Sequence, residues 1–153
     1  MAKGRLLWRK RPDLYLGTLE VLRAAAGRGW CVLWLTFTSV PGFEARKLLP
    51  AHRDLLRRLE SQRAIRPHYI GFRTFEGHGV LHVFWLFSKP NVFIPKEWLW
   101  NEWGKLTGAR SVHINRCGAT SEDTLKLARY AAGQPLFVRS FKSVGLKEAL
   151  YGS

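Results

Sequence analysis

The stretch Arg73-Thr-Phe-Glu-Gly-His-Gly-Val-Leu-His-Val-Phe-Trp-Leu-Phe87 decides how this chain is read. Its second half, Gly79 to Phe87, predicts a strand that is apolar on both faces. Gly77-His-Gly79 predicts a turn or bulge, and His68 to Phe75 ahead of it a further strand. Working back, Pro67 ends a helical stretch over residues 43–63 with Leu48, Leu49, Leu55, Leu56 and Leu59 on one face. Pro50 splits that stretch or starts its main helix. Trp30 to Thr38, rich in Trp, Val, Phe and Thr, predicts a buried strand broken by Pro41-Gly42. Pro12 and Asp13 open a helix that ends at Gly27-Arg-Gly29. Residues 1–11 form a basic arm with Lys3, Arg5, Arg9, Lys10 and Arg11 and no acid.

Working forward, Asn91 to Pro95 is a loop. Pro95 introduces a helix over Lys96 to Leu106, with Trp98, Leu99, Trp103 and Leu106 at helical spacing. A short strand follows from Arg110 to Cys117. Ser121, with Glu122 and Asp123 behind it, opens a helix to Ala132 capped by Gly133. Leu136 to Phe141 is a last strand. After an N-terminal helix, the order is β–α–β–β–α–β–α. It predicts an α+β chain of the ferredoxin-like, split βαβ type: an antiparallel sheet of about four or five strands with helices on one face. RRM-like RNA-binding modules and many DNA-binding modules share that order, so it does not fix a function. One domain is expected over residues 12–143, with a tail at 144–153.

Composition narrows the function. The chain has 153 residues, 25 Lys and Arg against 11 Asp and Glu, and a net charge of +14. Such an excess suits a polyanionic partner, and 16 of the 25 cations are Arg, whose fork grips phosphate. Apolar residues make up 46%, with seven Trp and nine Phe, which excludes disorder for most of the chain. The longest apolar run, Val80 to Phe87, is far short of the roughly 20 residues that span a bilayer. No secretory signal is visible, and two cysteines, Cys31 and Cys117, fit a reducing cytoplasm.

Four segments in order carry more. They are Val32-Leu-Trp-Leu-Thr-Phe-Thr38, the Arg73–Trp85 run, Trp103-Gly-Lys-Leu-Thr-Gly108 and Leu127-Ala-Arg-Tyr-Ala-Ala-Gly-Gln134. Together they resemble the rolling-circle replication initiators (Rep proteins) of the HUH endonuclease superfamily. The likeness is closest to those of archaeal plasmids and viruses, which have a similar Thr-x-Glu-Gly-x-Gly-Val-x-His segment. The resemblance spans roughly residues 30–143. It implies a nickase of HUH fold that acts on single-stranded DNA at the origin of a mobile element. It implies His82 as a ligand of a divalent metal, Mg²⁺ or Mn²⁺. It implies Tyr130 as the nucleophile that forms a 5′-phosphotyrosine link and frees a 3′-hydroxyl. With no helicase segment in view, strand separation is expected to fall to a separate helicase.

Two departures open an alternative. The superfamily's hallmark is His-apolar-His, which puts two imidazoles on one strand face; here Val80 takes the first place. A Lys often found three residues after the Tyr is Gly133. The alternative is a catalytically inactive protein of the same fold that binds DNA or RNA without cutting it. Among further ligands, Glu76 is the better candidate, because a carboxylate suits Mg²⁺ or Mn²⁺. Gln134 offers a neutral oxygen on the helix that carries Tyr130. His78 is weaker: on an extended strand it lies ~13 Å from His82.

Each residue also has a plain structural reading. His82 can be a core histidine and Tyr130 a packed aromatic. Glu76 can pair with Arg73. His52, His68 and His113 show no partner pattern. Trp98 and Trp103 fall on the apolar face of their helix, whereas Trp100 falls off it and is placed to stack on a base. For the nucleic-acid backbone the candidates are Arg53, Arg57 and Arg58 on one helix, and Lys126, Arg129, Arg139 and Lys142, a stretch without acid from 124 to 147.

Overall fold

The computed structural model describes residues 12–74, 79–109, 111–116, 126 and 140–152. The expected strand at the centre forms: β3, Val80–Phe87, is buried at every position after Val80. A strand can be that dry only with partners on both edges and cover on both faces. Its edges are taken by β1, Cys31–Thr38, and β2, His68–Thr74, both antiparallel to it. β4, Val112–Arg116, adds to β1, and β5, Ser140–Lys142, adds to β2. The sheet order is β4-β1-β3-β2-β5. The chain is thus α+β with a five-stranded antiparallel sheet, and β4-β1-β3-β2 is the split βαβ arrangement that the element order predicted.

Side chains alternate across the pleat. Leu81, Val83, Trp85 and Phe87 of β3 join Leu33, Leu35 and Phe37 of β1 on one face. Two helices cover that face. α2, Leu48–Arg63, follows a 3₁₀ turn at Ala45–Lys47 and buries Leu48, Ala51, His52, Leu55 and Leu59, a stripe at helical spacing. Pro50 sits inside its first turn, where a missing N–H leaves no bond unmade. α3, Lys96–Thr107, buries Leu99 and Trp103. Glu102 ties the two helices together. Its carboxylate is almost fully buried and accepts from Arg58 at 3.3 Å, Gln62 at 3.3 Å and Lys105 at 2.9 Å. The Lys105 ammonium, first among these, holds the Glu102 carboxyl below the usual range.

Helices were expected on one face only; the structure has them on both. α1, Pro12–Gly27, lays Val21, Leu22 and Ala25 over Val32, Ile70, Phe84 and Leu86. α4, Leu146–Tyr151, adds Leu146 and Leu150 to the same cluster, within the segment expected to be a tail. The reason lies in the strands. Val32, Ile70, Phe84 and Leu86 are the second apolar face, and an uncovered face of that size loses the free energy of apolar burial. No helix among the described residues is long and apolar enough to cross a membrane.

β5 docks through a glycine. Phe141 lies over Gly71, and a Cβ at Gly71 would come within 2.9 Å of its ring and 2.4 Å of the His82 carbonyl oxygen. Tyr69 and Ser143 close the junction, with Tyr69 N–H donating to Ser143 Oγ at 2.9 Å. Gly71→Ala is therefore expected to destabilise the protein by about 1–3 kcal/mol, the usual range for forcing extra atoms into a packed core. Gly27→Ala, where a Cβ meets nothing within 4 Å, is the control and should cost nothing. Denaturant unfolding of the two variants checks this.

Candidate nucleic-acid interface

His82 lies on the second face of the sheet, in register with Thr36 of β1 and Phe72 of β2. The row extends to His113 on β4 and Ser140 on β5, so it crosses all five strands. In the next row toward Leu86, Trp34 stacks on Phe84 with ring centroids 6.0 Å apart. α1 and α4 cover the sheet from that row onward. The His82 row lies nearer the Val80 end of β3.

His82 is 4% exposed, and its ring stacks on Phe72 with centroids 5.0 Å apart and planes 23° from parallel. Burial pushes its pKa down to about 4, so the ring is neutral at neutral pH. The neutral imidazole is the form that ligates a metal or accepts a proton. His113, at the sheet edge, is exposed. Among the described residues, no three His, Cys, Asp or Glu side chains come together in a group able to hold a metal ion. Glu76, His78, Arg129, Tyr130, Gln134 and Arg139 lie outside the described residues.

The expected backbone contacts divide. Arg53 and Arg57 are exposed on the outer side of α2, with Arg57 paired to Asp54 at 2.5 Å. Arg58, one position on, turns inward to Glu102 and joins α2 to α3. Lys126 and Lys142 are exposed, Lys142 on the edge strand β5 opposite Ile70. Trp100 is half-buried rather than free: its indole N–H donates to the Val112 carbonyl at 3.0 Å, and Lys96 lies 4.8 Å above its ring. Trp103 is fully buried and donates to the Thr38 carbonyl at 2.7 Å, while Trp98 is half-buried and donates to Gln62.

His52 is a core residue. Its Nε2 accepts from the Trp85 indole at 3.0 Å, among the rings of Phe37, Tyr69 and Phe141. Sequence reading missed Arg66, Lys89 and Phe93, which are exposed near the ends of β2 and β3. The only signal available was an aromatic residue, Phe93, in the loop before Pro95. Compared with protein-family models, with curated proteins and with solved structures, the chain matches none.

Burial of His52, and to a lesser degree the charge of Arg53, lowers its pKa from the ordinary 6.5 to about 3. Between those values the unfolded chain takes up a proton that the folded chain does not. The stability from this residue is therefore complete above pH 6.5 and falls as pH drops toward 3. His52→Gln keeps an acceptor for Trp85 and cannot titrate. Its stability should depend less on pH in that window, by up to about 1.4 kcal/mol per pH unit. Denaturant midpoints of both proteins at several pH values measure the difference.

Proposed function

We propose that this chain acts on single-stranded DNA as a Rep-like nicking and joining protein of an archaeal-type plasmid or virus. The observation that carries the reading is the place of His82: a neutral imidazole on the central strand β3, on the face that α2 and α3 leave alone. That agrees with the HUH-like order of motifs, in which the His-bearing strand faces the reacting phosphate. The net charge of +14 supports a nucleic-acid partner.

Tyr130 is the nucleophile in this reading. Its hydroxyl gives up a proton, its oxygen bonds to phosphorus, and the bond from phosphorus to the 3′-oxygen breaks. The 3′-oxygen leaves and takes a proton, and the 5′ end stays on the protein as a phosphotyrosine ester. Joining is the reverse attack by a 3′-hydroxyl. A free phenol has a pKa near 10, so the step needs help at neutral pH. His82 supplies a nitrogen donor suited to a divalent cation, with Glu76 and Gln134 as the proposed oxygen donors. A divalent cation held there, Mg²⁺ or Mn²⁺, would polarise the phosphate and stabilise the charge that develops. The setting is the host cytoplasm, with a separate helicase opening the duplex.

A second reading has its own support. His82 is buried and stacked on Phe72, which suits a core histidine in a protein that keeps the fold and binds DNA or RNA without cutting it.

A covalent-adduct assay separates the two. Labelled single-stranded DNA that contains the element's origin is incubated with protein and Mn²⁺, and a denaturant-resistant band is sought. The nickase reading expects a metal-dependent band, none with Tyr130→Phe, and one weaker by about 10–100-fold with His82→Gln. Salt-sensitive retention of DNA by all three proteins without any band would establish the second reading.

A further inference from the structure

Two adjoining clefts run around the end of the sheet away from His82. One, of about 500 Å³, lies between α2 and the start of β2 and takes in Arg53, Arg57, Arg66 and His68. The other, of about 440 Å³, shares Arg66 and His68 and continues past Lys89 to Phe93. The two clefts meet at Arg66 and His68 and are taken together as one groove. Its lining is unbalanced: four cations, Arg53, Arg57, Arg66 and Lys89, against one carboxylate, Glu60, which pairs with Arg66 at 3.4 Å. Arg53 has no ion pair among the described residues, and the Arg66 side chain is 82% exposed.

The apolar surface points the same way. Among the described residues, three large apolar side chains are exposed, and two of them, Phe93 at 78% and Val144 at 100%, line this groove. An aromatic ring left in water in a cleft with Arg66 and Lys89 gains nothing from the fold itself. It offers a stacking platform to an unpaired base, while arginine forks take the phosphates on either side. A duplex keeps its base faces stacked and cannot use such a ring.

We propose that this groove is a second binding site for single-stranded DNA, holding the strand away from the His82 row. The His68 end of β2 pairs with Leu86, four residues along β3 from His82, which is ~13 Å at ~3.3 Å per residue. A strand held there is gripped outside the reacting site, so one end is retained after a cut. The proposal rests on the single-stranded DNA reading above, but not on nicking itself.

The test is fluorescence anisotropy with a labelled single-stranded oligonucleotide over a range of salt. The parent protein, the Arg53→Gln/Arg66→Gln variant and Phe93→Ala are compared, and thermal melts confirm that each is folded. The double variant should bind about tenfold more weakly near physiological salt, and its log–log salt slope should fall by about 1.4, two phosphates' worth. Phe93→Ala should lose about fivefold or more with the slope unchanged. Parent-like affinity in both variants would overturn the groove, whatever the adduct assay gives. Equal loss on duplex DNA would show a charged surface and no strand site, and tighter binding of the matching RNA would reassign the occupant. Loss of binding in these variants, with an adduct that survives Tyr130→Phe, would sink the Tyr130 reading and leave the groove standing.

Discussion

The burial of β3 on both faces is the constraint from which the rest of the structure follows. Trp85 at its centre is fully buried, with its indole N–H satisfied by His52 of α2. An indole that deep needs a hydrogen-bond partner, and His52 meets the need only as a neutral ring. The α2 and α3 face of the sheet is therefore a closed aromatic core of Phe37, His52, Trp85 and Trp103. With that face sealed, α1 and α4 must cover the other, and they do so over Val32, Ile70, Phe84 and Leu86.

The two faces thereby take different work. The α2 and α3 side is stability, fastened at its rim by Glu102 and its three partners. The opposite side carries His82 in a row that also holds Thr36, Phe72 and His113. One helix serves both stability and surface charge. On α2, Arg58 turns in toward α3, whereas Arg53 and Arg57 stay in water beside the groove. A single arginine row in sequence thus splits between packing and exposed positive charge.

Much of the fold was legible because the strands are strongly patterned. Trp30 to Thr38 and Gly79 to Phe87 predicted β1 and β3 to within a residue, and Pro95 and Gly108 bound α3 as their chemistry dictates. The second helical layer was not legible. α4 is six residues long, too short for a periodicity to stand out, and its two leucines declare themselves only against α1. Trp100 was misjudged for a related reason. Off the apolar stripe it reads as exposed, yet the Val112 carbonyl of the following strand β4 receives its N–H, a contact set by how that strand docks and not by helical periodicity. Of the candidate site, the strand position of His82 was legible from its flanking residues. Its depth was not, since burial to 4% depends on what packs around the strand.

Whether His82 holds the metal is read most directly from histidine resonances during a Mn²⁺ titration, with and without a single-stranded oligonucleotide. Paramagnetic broadening falls off steeply with distance and needs no catalysis. Broadening of the His82 ring signals at the lowest Mn²⁺, ahead of the exposed His113 and the surface His68, is the expected result. Sharp His82 signals beside broadened His113 and His68 would contradict it, and would leave His82 a core residue of a binding protein.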